Sequence, residues 1–286
     1  MPMTLLALHA HPDDESSKGA ATISRYAASG VRCVLVTATG GEAGDILNPA
    51  MDRPEIAANL KAVREAELAE AAAIQGYDEV ILLGYRDSGM PDSSDNADPR
   101  AFCNQPVDDV LARLVGIVRE VRPHVVIGYD DHEFYPHPDH LRIHEMSLLV
   151  FDAAADANRF PELGEPWEIK KMYAPTMFAH DRIHALHEAM LERTGSSPYE
   201  RWIEMIETRP IVERDVTRID VTGYVEQSRA ALRAHRTQID PDGHWFQVPT
   251  EVIEEIYPWE DFELMASRVG WNTDEDDLFA GIDDAA

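Results

Sequence analysis

Short continuous apolar runs alternate with stretches of helical repeat along the first half of the chain. Residues 4–9 (T-L-L-A-L-H) form an apolar run that predicts a buried strand. Ser16 or Ser17 then suits the cap of a helix running to about Ala28, with Gly30 beyond its end. The β-branched run at 31–38 predicts a second strand, closed by the turn T-G-G-E at 39–42. Residues 54–75 carry a helical repeat, with Pro54 in the first turn and Gly76 after the last. A third strand is expected at 79–83, a long polar loop at 85–105 and a helix at 107–121. A fourth strand follows at 124–129, and a further helix starts at Pro138 or Asp139.

This order is strand and helix in alternation, which predicts an α/β fold with a mostly parallel sheet and helices on both faces. In such sheets ligands bind beyond the carboxyl ends of the strands. The second half is less regular. Helices are expected at 180–194, 198–207 and 223–236, and strands at 170–178, 216–221 and 261–268. Without a repeat or a linker signal, 1–286 reads as a single domain. About 1–160 would be the parallel core, 161–273 a C-terminal α/β extension shaping the cleft, and 274–286 a frayed acidic tail.

Composition narrows the function classes. The chain has 53 acidic and 25 basic residues, a formal net charge of -28. Such a surface repels phosphate backbones and anionic lipid, so neither nucleic acid nor membrane is an expected partner. No apolar run approaches the roughly 20 residues that cross a bilayer. The N-terminus has no basic segment before its first strand, and Cys33 and Cys103 make no disulfide framework. Both features suit a cytoplasmic protein. Nothing in the sequence bears on oligomeric state. Only Lys18, Lys61, Lys170 and Lys171 are lysine, which singles out Lys18 beside the first motif described next.

Two motifs carry the chemistry: A-H-P-D-D-E at 10–15 and Y-P-H-P-D-H at 135–140, each after an expected strand. His11 and Asp14 flank a proline-stiffened turn, and His140 supplies a third donor from the distant loop. Three such ligands leave a zinc ion one position for water, whose pKa falls toward neutrality. Asp13 would point away from Asp14 and act on that water as general base. His137, protonated, would stabilise an oxyanion and give a proton to a departing amine. Asp139 suits orienting a histidine through its ring N–H, and Tyr135 suits a hydroxyl at the oxyanion. His9 reads as a buried strand residue and His144 as packing near the site. Asp130, Asp131 and His132 sit at the loop mouth. His180, His184 and His187 share a helical face, and His235 and His244 stay unassigned. A non-catalytic sugar-binding protein with a structural metal is disfavoured by the intact Asp13 and His137. A two-metal phosphoesterase would need more ligands than these motifs supply.

The paired motifs resemble those of the LmbE-like, or PIG-L, zinc de-N-acetylases. Flanking segments at 11–22, 46–55 and 260–269 are similar to the branch of that family that cleaves mycothiol S-conjugates. The resemblance implies a Rossmann-like core, one Zn2+ per chain with Fe2+ as an alternative in the cell, and His11, Asp14 and His140 as ligands. Asp13 would be the base, His137 its acid partner and Tyr135 the carbonyl-polarising tyrosine. Lys18, Glu42, Arg53 and Asp87 would bind the substrate, a small thiol-sugar conjugate. The implied reaction is hydrolysis of the cysteinyl–glucosamine amide to a mercapturic acid and glucosaminyl-inositol, a detoxification step. Deacetylation of N-acetylglucosaminyl-inositol, or another sugar de-N-acetylation, is the alternative. Phe134 departs from the glycine-rich sequence expected there and would alter the tyrosine loop.

Overall fold

In the computed structural model, residues 2–130, 135–176, 179–208 and 214–283 are described. The first half runs β1 (Thr4–His9), α1 (Asp14–Ser17), α2 (Ala20–Ala28), β2 (Arg32–Thr39), α3 (Pro54–Ala57), α4 (Leu60–Gln75), β3 (Glu79–Tyr85), α5 (Val107–Val121), β4 (Val125–Ile127) and α6 (Pro138–Ala153). The second half adds β5 (Lys171–Pro175), α7 (His180–Thr194), α8 (Glu200–Glu207), β6 (Val216–Asp220), α9 (Val225–Ala234), α10 (Thr250–Ile256) and β7 (Trp259–Ser267).

The strands form one seven-stranded sheet in the order β3-β2-β1-β4-β5-β7-β6. The first five are parallel, and β7 runs antiparallel to both β5 and β6. Period-two geometry sorts the side chains. Leu5, Ala7 and Leu35 join one core, with residues of α2, α4, α7 and α10. Leu6, Leu8, Val34 and Val36 join the other, under α5 and α6. The mostly parallel sheet covered on both faces is therefore as expected. Strand order reverses between β1 and β4, which places both motifs at the switch point, where a crevice opens.

Several boundaries differ from the sequence reading, each for a local reason. The helix expected over 54–75 breaks at Asn59, whose side chain donates to the Glu55 carbonyl and so competes with the helical ladder. Neither Ser16 nor Ser17 caps α2. Gly19 does, at φ 80, and a Cβ there would lie 3.0 Å from the Phe262 ring. The fourth strand shrinks from 124–129 to Val125–Ile127. The helix α10 was not expected, because seven residues with three glutamates carry little periodic signal.

The acidic stretch after 273 does not fray through Phe279. Lys171, fully buried on β5, pairs with Glu275 at 2.6 Å. The Tyr26 hydroxyl donates to Asp277 at 2.7 Å and accepts from the Leu278 amide at 2.8 Å, while Leu278 itself is buried. Tyr26→Phe removes both bonds, one to a carboxylate, and is expected to destabilise the fold by about 1.5 kcal/mol. An unmoved urea midpoint would show that the tail docks without this hydroxyl.

No helix among the described residues is long and apolar enough to cross a membrane.

Candidate active site

The turn after β1 depends on one left-handed residue. Asp13 stands at φ 105, a conformation that L-residues other than asparagine and aspartate rarely take. The reversal sends its two neighbouring carboxylates apart. Asp14 folds back, and its Oδ2 accepts from the His11 amide at 2.8 Å. The Asp13 carboxylate turns instead to the Arg64 guanidinium at 3.0 Å. The divergence of Asp13 from Asp14 agrees with the sequence reading.

His140 arrives from the first turn of α6, whose N-cap is His137. The His137 Nδ1 accepts from the Asp139 amide at 3.2 Å. Pro138 occupies the first helical position, where a missing N–H costs nothing. His140 Nε2 then lies 3.1 Å from His11 Nδ1 and 3.4 Å from the Asp14 carboxylate, which is 3.5 Å from His11. A tetrahedral ion with bonds of 2.0–2.1 Å needs its donors roughly 3.3 Å apart. The pairs stand near that spacing, with Asp14 facing His140 through Oδ1 and His11 through Oδ2, so these residues, like the group His11, Asp87 and Asp139, could hold a metal ion. His11, His137 and His140 also converge closely enough to hold one.

Asp139 is fully buried and accepts from the Ser88 amide at 2.9 Å and the Cys103 amide at 3.0 Å. Its Oδ2 faces His11 Nε2 at 3.2 Å. With Nε2 facing Asp139, the ring turns Nδ1 toward Asp14 and His140.

The electrostatics fit a cation. Burial alone would lower the His11 imidazole, but hydrogen bonds to Asp139, Asp14 and Asp87 outweigh it and raise it well above its ordinary value. Burial likewise works to raise Asp14, yet Lys18, His140 and His11 hold it well below the carboxylate range. Three carboxylates around one imidazole leave an excess of negative charge that a bound metal would balance. Asp13 differs. Burial and the Asp14 charge raise it against the pull of Arg64, although 27% of its side chain stays exposed.

Burial, then the His11 charge, pushes His137 down to about 4. With Nδ1 committed as an acceptor, the neutral ring presents Nε2–H.

The predicted substrate residues divide. The Lys18 ammonium pairs with Asp14 and stands 5.1 Å over the Tyr129 ring, at the wall of a cavity of about 370 Å³ that also exposes His11, Asp13 and His140. Asp87 lines the same cavity. Its carboxylate accepts from Gly89 and Ala43 amides at 2.8 and 3.1 Å, so it also ties two loops together. Glu42 and Arg53 do not line it. Glu42 Oε2 is buried without a hydrogen-bond partner among the described residues, and exposed Arg53 donates to the Ala50 carbonyl. Adjacency in sequence to the turn and to α3 did not bring either side chain to the cavity wall. Tyr135 lines the cavity, 41% exposed, its hydroxyl 2.8 Å from Met90 Sδ. Asp131, His132 and Phe134 lie outside the described residues.

Buried His9, pushed down to about 4 by burial, packs edge-on against Tyr129, and His144 bonds the Tyr129 carbonyl. His180, His184 and His187 flank the buried face of α7.

Two groups escaped the sequence reading. Arg64 donates to the Gly41 and Pro12 carbonyls as well as to Asp13. Gly41, at φ 66, leaves room for it, since a Cβ there would lie 2.3 Å from the guanidinium. The signal was present: Arg64 and Glu67 sit on the same stripe of α4 as buried Leu60, Leu68 and Ala71. His235 pairs with Glu15 at 2.6 Å, both fully buried, and Glu15 Oε2 accepts from the Asp13 amide at 3.0 Å. No local pattern joins residues 220 positions apart.

Residues 6–151 match the family model "PIG-L: GlcNAc-PI de-N-acetylase". The chain is 42% identical to a mycothiol S-conjugate amidase of Streptomyces coelicolor, over 99% of each chain. It is 37% identical to a 1D-myo-inositol 2-acetamido-2-deoxy-alpha-D-glucopyranoside deacetylase of Geodermatophilus obscurus, over 97% of each. In fold it is similar to the N,N'-diacetylchitobiose deacetylase of Pyrococcus horikoshii, with TM-score 0.61 and 20% identity over 92% of this chain and 83% of that one. The chain belongs to the PIG-L, GlcNAc-PI de-N-acetylase family, and with it to the hydrolases of amide bonds.

Proposed function

We propose that this chain is a zinc-dependent amidase that cleaves the amide between the cysteinyl carbonyl and the glucosamine nitrogen of mycothiol S-conjugates. The products would be a mercapturic acid and glucosaminyl-inositol. One observation carries the hydrolytic reading: Asp13 stands free of the donor cluster that Asp14 joins, beside the same cavity. The greater likeness to the amidase than to the deacetylase supports the choice of substrate.

His11, Asp14 and His140 would hold the ion. Zinc bound there supplies a polarised carbonyl and a more acidic water. Asp13 takes the proton of the attacking water, its carboxylate aimed by Arg64. Neutral His137 donates Nε2–H to the developing oxyanion, and the Tyr135 hydroxyl suits the same role. A neighbouring cation would lower His137 further, so the proton that Asp13 accepts is the one returned to the departing amine. Asp139 acts only through His11, as a positioning residue. Lys18 and Asp87 suit contact with the substrate; Glu42 and Arg53 would need to move to reach it.

Chelation should abolish turnover, and added Zn2+ should restore it; restoration by Fe2+ alone would assign iron instead. In a paired assay, kcat/KM on a bulky S-conjugate should exceed that on N-acetylglucosaminyl-inositol. The reverse preference would favour the second reading, a biosynthetic deacetylase, which the 37% identity supports.

A further inference from the structure

A second cavity of about 390 Å³ abuts the catalytic one. Ser17, Lys18, Pro175, Trp202, Leu232 and Trp245 line both, so the two share a rim. Their walls differ in chemistry. The catalytic lobe sets carboxylates and imidazoles among apolar side chains such as Leu47, Met90 and Ile239. The second adds Tyr199, Ile183 and Ile253 to the tryptophans of the rim.

Charged residues also line the second lobe, but their polar ends are engaged with the protein. The Arg229 guanidinium donates to the Val248 and Phe246 carbonyls at 2.7 and 3.1 Å. Arg182 donates to the Trp259 carbonyl at 2.8 Å. Glu260 accepts from the Ala21 and Thr22 amides at the start of α2, and Asp261 accepts from the Tyr257 hydroxyl. Lys18, on the rim, pairs with Asp14 and can lay its methylene stem over apolar surface. The His244 imidazole and the Tyr199 hydroxyl also line the lobe, but aromatic and aliphatic surface makes up the larger part of its wall, the usual lining of a small-molecule pocket.

Size and place decide the occupant. An acetyl group needs only the reacting centre and would leave this lobe to water. A substrate whose acyl side carries a bulky apolar group would reach across the rim while its amide stays beside Asp13. We infer that the second lobe binds the S-substituent of the conjugate, an aromatic or alkyl group borne on the cysteinyl sulfur. The inference rests on the proposed S-conjugate reading for its substrate, and on the lobe's own walls for its chemistry.

Ser228, on α9, lines the second lobe and not the catalytic one, and Ser228→Phe places a ring in that space. The kcat/KM ratio of an S-benzyl to an S-methyl conjugate should fall roughly tenfold or more, mainly through KM. The Kd of N-acetyl-S-benzylcysteine, followed by tryptophan quenching, should rise by a similar factor. An unchanged ratio together with an unchanged Kd overturns the assignment while leaving amidase activity standing. If the wild type hydrolyses only the N-acetyl substrate, the amidase reading fails, and the Kd decides the lobe. Saturable binding weakened by Ser228→Phe supports it, and no binding to the wild type overturns it. Should Ser228→Phe not fold, Thr176→Phe enters the same lobe from the end of β5 and carries the same measurements.

Discussion

Asp13→Asn is expected to retain bound metal and to lose turnover by about 10²–10⁴-fold, the usual contribution of a positioned general base. Asparagine is the informative replacement here. Asp13 occupies the left-handed region at φ 105, and asparagine tolerates that region better than alanine does. Asp13→Ala would add backbone strain of about 1–2 kcal/mol and confuse a folding effect with a chemical one. The amide also keeps a hydrogen-bond acceptor for Arg64, so the turn through the Pro12 and Gly41 carbonyls should persist. Metal analysis beside single-substrate kinetics checks both halves of the expectation. Turnover within threefold of wild type would remove Asp13 from the mechanism. Loss of the metal would instead make it a ligand, which its contact with Arg64 rather than with His11 or His140 argues against.

Glu15→Ala should be the most destabilising single change near the site, by about 3–5 kcal/mol, because it leaves the buried His235 imidazole without its partner. Burial alone would lower His235, but Glu15 raises it, so the isolated ring must desolvate or deprotonate. His235→Ala should cost a comparable amount by stranding the carboxylate. The double substitution should cost clearly less than the sum, since neither charge is then left alone. Urea denaturation of the four proteins makes this a double-mutant cycle; strict additivity would show that the pair is incidental. Catalysis should suffer as well, in kcat more than KM. Glu15 also accepts from the Asp13 amide, and that bond helps hold the reversed backbone from which the Asp13 carboxylate is aimed.

Much of the site was legible because its determinants are local. The spacing of His11 and Asp14 around Pro12, and of His137, Asp139 and His140 at a helix start, survives any arrangement of the remainder. Arg64 was readable in principle as a charge on the buried stripe of α4. Glu42 and Arg53 were assigned by resemblance, and nothing in their own neighbourhoods dictates which way their side chains turn. The protonation of His137 could not be read either, since burial and the neighbouring His11 charge set it.

By itself the sequence determined the alternation of strands and helices, the two cores on opposite sheet faces, and the placement of both motifs at strand ends. Those follow from short continuous apolar runs and a 3.6-residue repeat, which a short window contains. Tertiary structure alone decided that the histidine facing Asp139 is His11, that Glu15 meets His235, and that the acidic tail docks on Tyr26 and Lys171. Each joins elements far apart in the chain and depends on the parallel pairing of β1 with β4, on α9 packing against α1, or on the tail lying against α2 and β5. The second lobe belongs to this class too, because its walls come from α1, the end of β5, α7 to α10 and the start of β7.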